Sequence, residues 1–189
     1  SVWVAHPEGW ILRTKGNPVT VKKLLTAFET LAKEIGVQED VDWRLLIVQS
    51  ACEAAPSRKH PSGKDPLSPR TEIGYPLRTG ENDRGSPERD VQDKGRHCSF
   101  GLCQTLLSTA MYVCPEIFKG VPPEQRRFIL AEPKNSYKCI SRYYRTLAKE
   151  NRDDLLRTRT CFGAGGVYET RTNRWGVHCY DVAVLEHFL

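Results

Sequence analysis

From Pro18 the chain reads PVTVKKLLTAFETLAKEIG. Val21, Leu24, Leu25, Phe28, Leu31, Ala32 and Ile35 recur there at the three- and four-residue intervals that line one face of a helix. The spacing predicts an amphipathic helix opened by Pro18 and closed by Gly36. The next run, DVDWRLLIVQSACEA from Asp40, begins with acids suited to the positive end of a helix dipole and then turns almost continuously apolar. A helix with so little polar surface is expected to be central and buried on most sides. Its apolar pattern breaks at Glu53, a carboxylate at or near the C-terminal end of the predicted helix.

The pattern then stops. Residues 56–97 are crowded with proline, glycine and charge. An irregular stretch of about 40 residues is far longer than an ordinary connection, and loops of that size are usually functional or disordered. It leaves room for a short β-hairpin around EIGYPLRTG, where the signal is weak. Helical patterns resume in CQTLLSTAMYVC, in PPEQRRFILAE with its prolines at the start, and in SYKCISRYYRTLAKE, which sets Cys139, Ile140, Tyr143, Tyr144 and Leu147 on one side. DDLLRTRTCFGAGG ends in glycines, and YDVAVLEHFL supplies a last apolar helix. There is no internal repeat. The expected fold is mainly α: residues 1–17 form an N-terminal extension or linker, and residues 18–189 form one helical domain carrying the 56–97 insertion.

Length and charge narrow this picture a little. A chain of 189 residues is enough for one domain with its own core. Twenty-eight Lys and Arg against 23 Asp and Glu give a net charge of +5, which favours anionic partners such as a bacterial envelope without requiring them. No apolar run reaches the roughly 20 residues of a membrane span. SVWVAHPEGW lacks the features of a secretory leader, so either a leader has been removed or the chain is an excised domain.

Seven cysteines, at 52, 98, 103, 114, 139, 161 and 179, have no zinc-ligand spacing, and no metal or cofactor is expected. Buried thiols and disulfides are both compatible with their scatter. One option is a bridge from Cys52 to Cys98 or Cys103, and the connectivity is not legible in the spacing. His97 beside Cys98 and His178 beside Cys179 do not make a dyad, because neighbours in sequence seldom face each other.

A carboxylate at the end of a buried helix, beside a loop that borders a cleft, has the surroundings that keep a carboxyl protonated and able to donate. Glycoside cleavage needs such an acid. A solvated helix-end glutamate is the plain alternative, and the stretch SFGLCQTLLSTA weighs against it: Gly101 permits close backbone approach, and Gln104 offers a two-ended amide to a sugar.

GLCQTLLSTA resembles the GLMQ motif of soluble lytic transglycosylases and goose-type lysozymes, with Cys103 in place of Met, and it lies downstream of a helix ending in Glu as in that family. CFGAG at 161–165 partly resembles the family's AYNAG-like segment, with Phe162 where Tyr is usual and Gly163 where Asn is usual. Ala54 follows Glu53 where the family commonly has Ser. The likeness runs over residues 41–189. It implies a lysozyme-like α+β fold and cleavage of the β-1,4 bond between N-acetylmuramic acid and N-acetylglucosamine, with Glu53 as general acid/base.

The resemblance also implies Gly101, Cys103, Gln104 and Phe162 as cleft residues. Goose-type lysozymes carry aspartates flanking the motif; Asp93 matches the first and is the candidate second carboxylate, while Leu106 stands at the second. The implied partner is the peptidoglycan glycan strand, met by a monomer in the periplasm, outside the cell or on a virion. The alternatives are a non-catalytic glycan-binding or envelope-structural protein on the same fold and a nucleic-acid binder. The net charge, RRFIL and RYYRTLAK suggest the latter, but their basic residues are interleaved with core positions at helical spacing, which more often marks a solvated helix face.

Overall fold

The structure is a computed structural model that describes residues 2–6, 9–13, 18–54, 64–70 and 98–150. Strands β1 (Val2–His6) and β2 (Gly9–Arg13) pair antiparallel, with Val2 opposite Arg13 and His6 opposite Gly9. The expected N-terminal extension therefore contains a hairpin. Two longer helices follow, α1 (Pro18–Glu39) and α2 (Trp43–Ala54). Beyond the insertion come the two-residue strands β3 (Ser99–Phe100) and β4 (Thr105–Leu106), then α3 (Leu107–Val113) and α4 (Pro115–Phe118). A 3-10 turn (Pro123–Gln125) leads into α5 (Arg126–Ala131) and the long α6 (Pro133–Glu150). The described chain is mostly helical, as the periodicity predicts. Among the described residues no helix is long and apolar enough to cross a membrane. The hairpin expected around EIGYPLRTG and the two C-terminal helical patterns lie outside the described residues.

Gly36 does not close α1, contrary to the pattern's prediction. The helix runs on to Glu39, and the left-handed residue that ends it is Asp40, at φ 54°. The Val41 amide then donates back to the Gly36 carbonyl at 2.9 Å, the long bond of a Schellman closure. Gly36 serves the close approach of the returning chain instead. A Cβ there would lie 2.8 Å from the Val41 carbonyl oxygen and 2.9 Å from the Trp43 Cβ. The glycine was legible in the sequence; which of its two uses applied depended on where the chain folded back.

The core has two parts, and α6 is common to both. One gathers Leu24, Ala32 and Ile35 of α1, Leu45 to Val48 of α2, Leu102 and Cys103 ahead of α3, and Tyr137, Ile140, Tyr144 and Leu147 of α6. Phe28 meets Tyr137 edge to face, with ring centroids 6.0 Å apart. The other joins Cys98, Phe100, Leu107, Ala110, Cys114, Phe118, Leu130 and Cys139. Of the residues the spacing placed on one side of α6, Cys139, Ile140, Tyr144 and Leu147 are buried and Tyr143 is at the margin; Ser136, Tyr137 and Ser141 are buried as well. Arg142 on its flank bonds the Glu39 carboxylate at 2.9 Å and the Glu116 carboxylate at 2.6 Å, tying α1 and α4 to α6. This charge sharing holds the Arg142 pKa above its ordinary value, the hydrogen bond to Glu39 being the largest cause.

Asp42 starts α2. Its carboxylate accepts the Arg44 backbone amide at 3.0 Å, and its carbonyl accepts the Leu45 amide at 3.0 Å, the arrangement of an N-cap. The Arg44 guanidinium also grips both carboxylate oxygens. The side-chain bond to Arg44 holds the Asp42 pKa below its ordinary value, against the opposing effect of partial burial. A lowered carboxylate pKa stabilises the fold above the unfolded value and is lost as pH falls through the folded one. Asp42→Ala is therefore expected to cost about 1 kcal/mol near neutral pH. The gap between wild type and variant should close in acid well below the ordinary aspartate pKa. Urea unfolding at both pH values measures it, and a gap that is the same at both would show that the cap is not ionised.

Candidate functional site

Glu53 is the next-to-last residue of α2, and its side chain is only partly buried. One helical turn earlier, at i−4, lies Gln49, which is fully buried. The Gln49 amide nitrogen donates to a Glu53 carboxylate oxygen at 3.3 Å and to the Cys103 carbonyl at 2.8 Å. Its carbonyl oxygen accepts the Tyr144 hydroxyl at 2.7 Å, so both ends of the amide are satisfied and its orientation is fixed. Residues 54 apart in sequence are joined in this way: the end of α2 meets the GLCQ segment through one buried side chain.

GLCQ itself is not the first turn of a helix. Gly101 to Gln104 form the four-residue turn of a small hairpin in which Ser99 faces Leu106 and Phe100 faces Thr105, and the helix begins only at Leu107. Gly101 takes φ 77°, and a Cβ on it would lie 2.1 Å from the Leu130 carbonyl oxygen and 3.0 Å from Ser136 Oγ. Only glycine fits, both for the left-handed backbone and for the approach of α5. Gln104 is also left-handed, at φ 48°, which costs an ordinary residue about 1 kcal/mol. Its side-chain amide offsets that cost by donating to the Arg70 and Gly101 carbonyls, each at 3.0 Å.

The described part of the insertion, residues 64–70, packs against the same turn. The Lys64 amide donates to the Ala54 carbonyl at 2.9 Å, continuing from the end of α2, and the Gly101 amide donates to the Arg70 carbonyl at 2.8 Å. The Arg70 side chain is buried, with its guanidinium donating to the Leu102 and Asp65 carbonyls. Burial lowers the Arg70 pKa, while the nearby Glu53, Cys103 and Asp65 act in the opposite direction. A buried cation beside a partly buried carboxylate is the main electrostatic feature of this corner.

Cys103 was singled out as a cleft residue. Its thiol is fully buried in the core, with Sγ 3.7 Å from Ser50 Oγ, and its backbone amide donates to Ser136 Oγ at 3.2 Å. Burial pushes its pKa up to about 12, so it is an inert thiol. Its contribution to the site is its carbonyl, through Gln49, and not a surface for a sugar. Gly101 likewise is buried and acts by shaping the turn; Gln104 is partly exposed at the turn's rim. Asp93 and Phe162, the remaining two candidates, lie outside the described residues.

Sequence reading missed Gln49 and Arg70. Gln49 is the one amide in the run LLIVQSA, and a long polar side chain inside an apolar helix must find partners, which was the available signal. Arg70 carried no such signal, because an arginine in a charged loop is ordinarily solvated. Cys98, Cys103, Cys114 and Cys139 are free and buried in the structure, and the Cys52 side chain lies outside the described residues. No family model matches the chain, and no curated protein or solved structure shows a significant match.

Two substitutions test how the corner is built. Gly101→Ala should cost at least about 3 kcal/mol, since added volume meets backbone that has nowhere to move. Arg70→Met should cost about 1–3 kcal/mol by leaving the buried Leu102 carbonyl without its donor. Chemical denaturation measures both, and a Gly101→Ala protein as stable as wild type would contradict the turn geometry.

Proposed function

We propose that the protein is a peptidoglycan-cleaving glycosidase of the lytic transglycosylase or goose-type lysozyme kind, with Glu53 as its general acid/base. The observation that carries this reading is the Gln49 bridge. It joins the helix-end carboxylate to the GLCQ turn, the two elements on which the resemblance rests, although 54 residues separate Gln49 from Cys103. The left-handed Gln104 adds support, since strained backbone is commonly retained where a site needs it.

In this reading Glu53 protonates the glycosidic oxygen as positive charge develops on the departing sugar. Gln49 donates to one carboxylate oxygen and so orients the group, leaving proton transfer to the other. The Arg70 cation favours the carboxylate that forms once the proton has left. The acceptor is either the muramyl 6-hydroxyl, which needs no second carboxylate, or a water activated by a second acid, for which Asp93 is the candidate. A net charge of +5 assists approach to an anionic wall.

Glu53→Gln keeps the shape of the side chain and removes its proton chemistry. Release of soluble muropeptides from purified sacculi is expected to fall about 100-fold or more, with the circular-dichroism spectrum and melting temperature preserved. Wild-type clearing by this variant would refute the assignment. Mass spectrometry of the wild-type products identifies the acceptor, with anhydro ends for the sugar hydroxyl and reducing ends for water.

A further inference from the structure

Two of the buried thiols face each other across the second part of the core. Cys114 sits at the joint between α3 and α4, and Cys139 is in the middle of α6; both have 0% exposure and pack with Leu107, Ala110, Phe118 and Leu130. The backbone holds each in place. The Cys114 amide donates to the Ala110 carbonyl at 2.9 Å, and its carbonyl accepts from Ile117 at 3.2 Å. Cys139 lies within a continuous helix.

Side chains on either side of Cys139 draw the Cys114 segment against it. Lys138 reaches Glu116 at 3.2 Å, and Arg142 reaches Glu116 at 2.6 Å and the Val113 carbonyl at 3.3 Å. Residues 113 and 116 bracket Cys114, just as residues 138 and 142 bracket Cys139, so the two thiols are neighbours in one buried cluster and each shifts the other's pKa. Cys103 makes no such pair, its hydrogen-bonding neighbours being Ser50 and Ser136.

We propose that Cys114 and Cys139 close an intramolecular disulfide, covalently joining the α3–α4 joint to α6, when the chain folds in the presence of a disulfide oxidant such as oxidised glutathione. The Cys114 thiolate attacks one sulfur of the oxidant, whose S–S bond breaks and releases one glutathione thiolate to take up a proton. Cys139 then loses its proton and attacks the Cys114 sulfur of the mixed disulfide, expelling the second glutathione. The two electrons given up by the cysteines end on two molecules of glutathione. The same exchange with Cys139 attacking first gives the same bond and the same balance. Exchange takes place before the cluster closes; afterwards burial shields the bond from reductants. The pairing does not depend on the proposed activity.

Refolding the full-length chain in a glutathione redox buffer, trapping remaining thiols with N-ethylmaleimide under denaturing conditions, and mapping peptides without reduction tests the proposal. The expected product is a reducible cross-link between the peptides containing Cys114 and Cys139, neither of them alkylated. Alkylation of both residues, or a bond from either to a different cysteine, would overturn it. Oxidised wild type should also melt on the order of 5–10 °C above the reduced protein. The Cys114→Ala/Cys139→Ala double variant should lose that difference; if it keeps it, the stabilising bond lies elsewhere and the proposal fails.

Discussion

A side-chain amide buried in an apolar helix must have partners at both ends, and the described structure is arranged around meeting that demand for Gln49. Leaving such a group unsatisfied costs as much as many packing contacts supply. Its nitrogen reaches the Cys103 carbonyl and its oxygen takes the Tyr144 hydroxyl, so α2, the GLCQ turn and α6 are held in one relation. Apolar packing alone tolerates small slides between helices, whereas a hydrogen bond of 2.7 or 2.8 Å does not. Glu53, one turn along the same helix, is brought to the turn as a consequence.

The turn depends on a second exact fit. Gly101 lets α5 approach until the Leu130 carbonyl occupies the space that any other residue's Cβ would need. That approach supports the bonds from Gly101 and Gln104 to the Arg70 carbonyl, through which residues 64–70 of the insertion are fastened beside Glu53. Burial of the Arg70 guanidinium is offset in part by the two carbonyls it bonds and by the acids around it, while its Nε is buried without a partner. Local strain at Gln104, a buried cation and a partly buried carboxylate within one small region are features that packing alone would not select, and they are why this corner is the candidate site.

α6 gives the molecule its second axis. It lends one face to each part of the core and carries Arg142, which joins the ends of α1 and α4. The same ion pairs that anchor α4 set Cys114 opposite Cys139. A positional constraint made by charge thus prepares a position for covalent chemistry.

The helices were legible from the sequence because each buries one face, and the requirement for burial writes itself into spacing. The apolar side of α6, the near-complete burial of α2 and the position of Glu53 at its end all followed from periodicity. The special need for glycine at 101 was legible too, since few residues permit close approach. What the tertiary structure decided were the relations between segments distant in the chain. It showed that Asp40 and not Gly36 ends α1, that GLCQ is a hairpin turn, that the Cys103 thiol belongs to the core, and that Gln49 and Arg70 frame the site. Spacing records what a residue must do within its own element; the partner of a buried polar group or a thiol is chosen by folding, which brings together residues that no local pattern links.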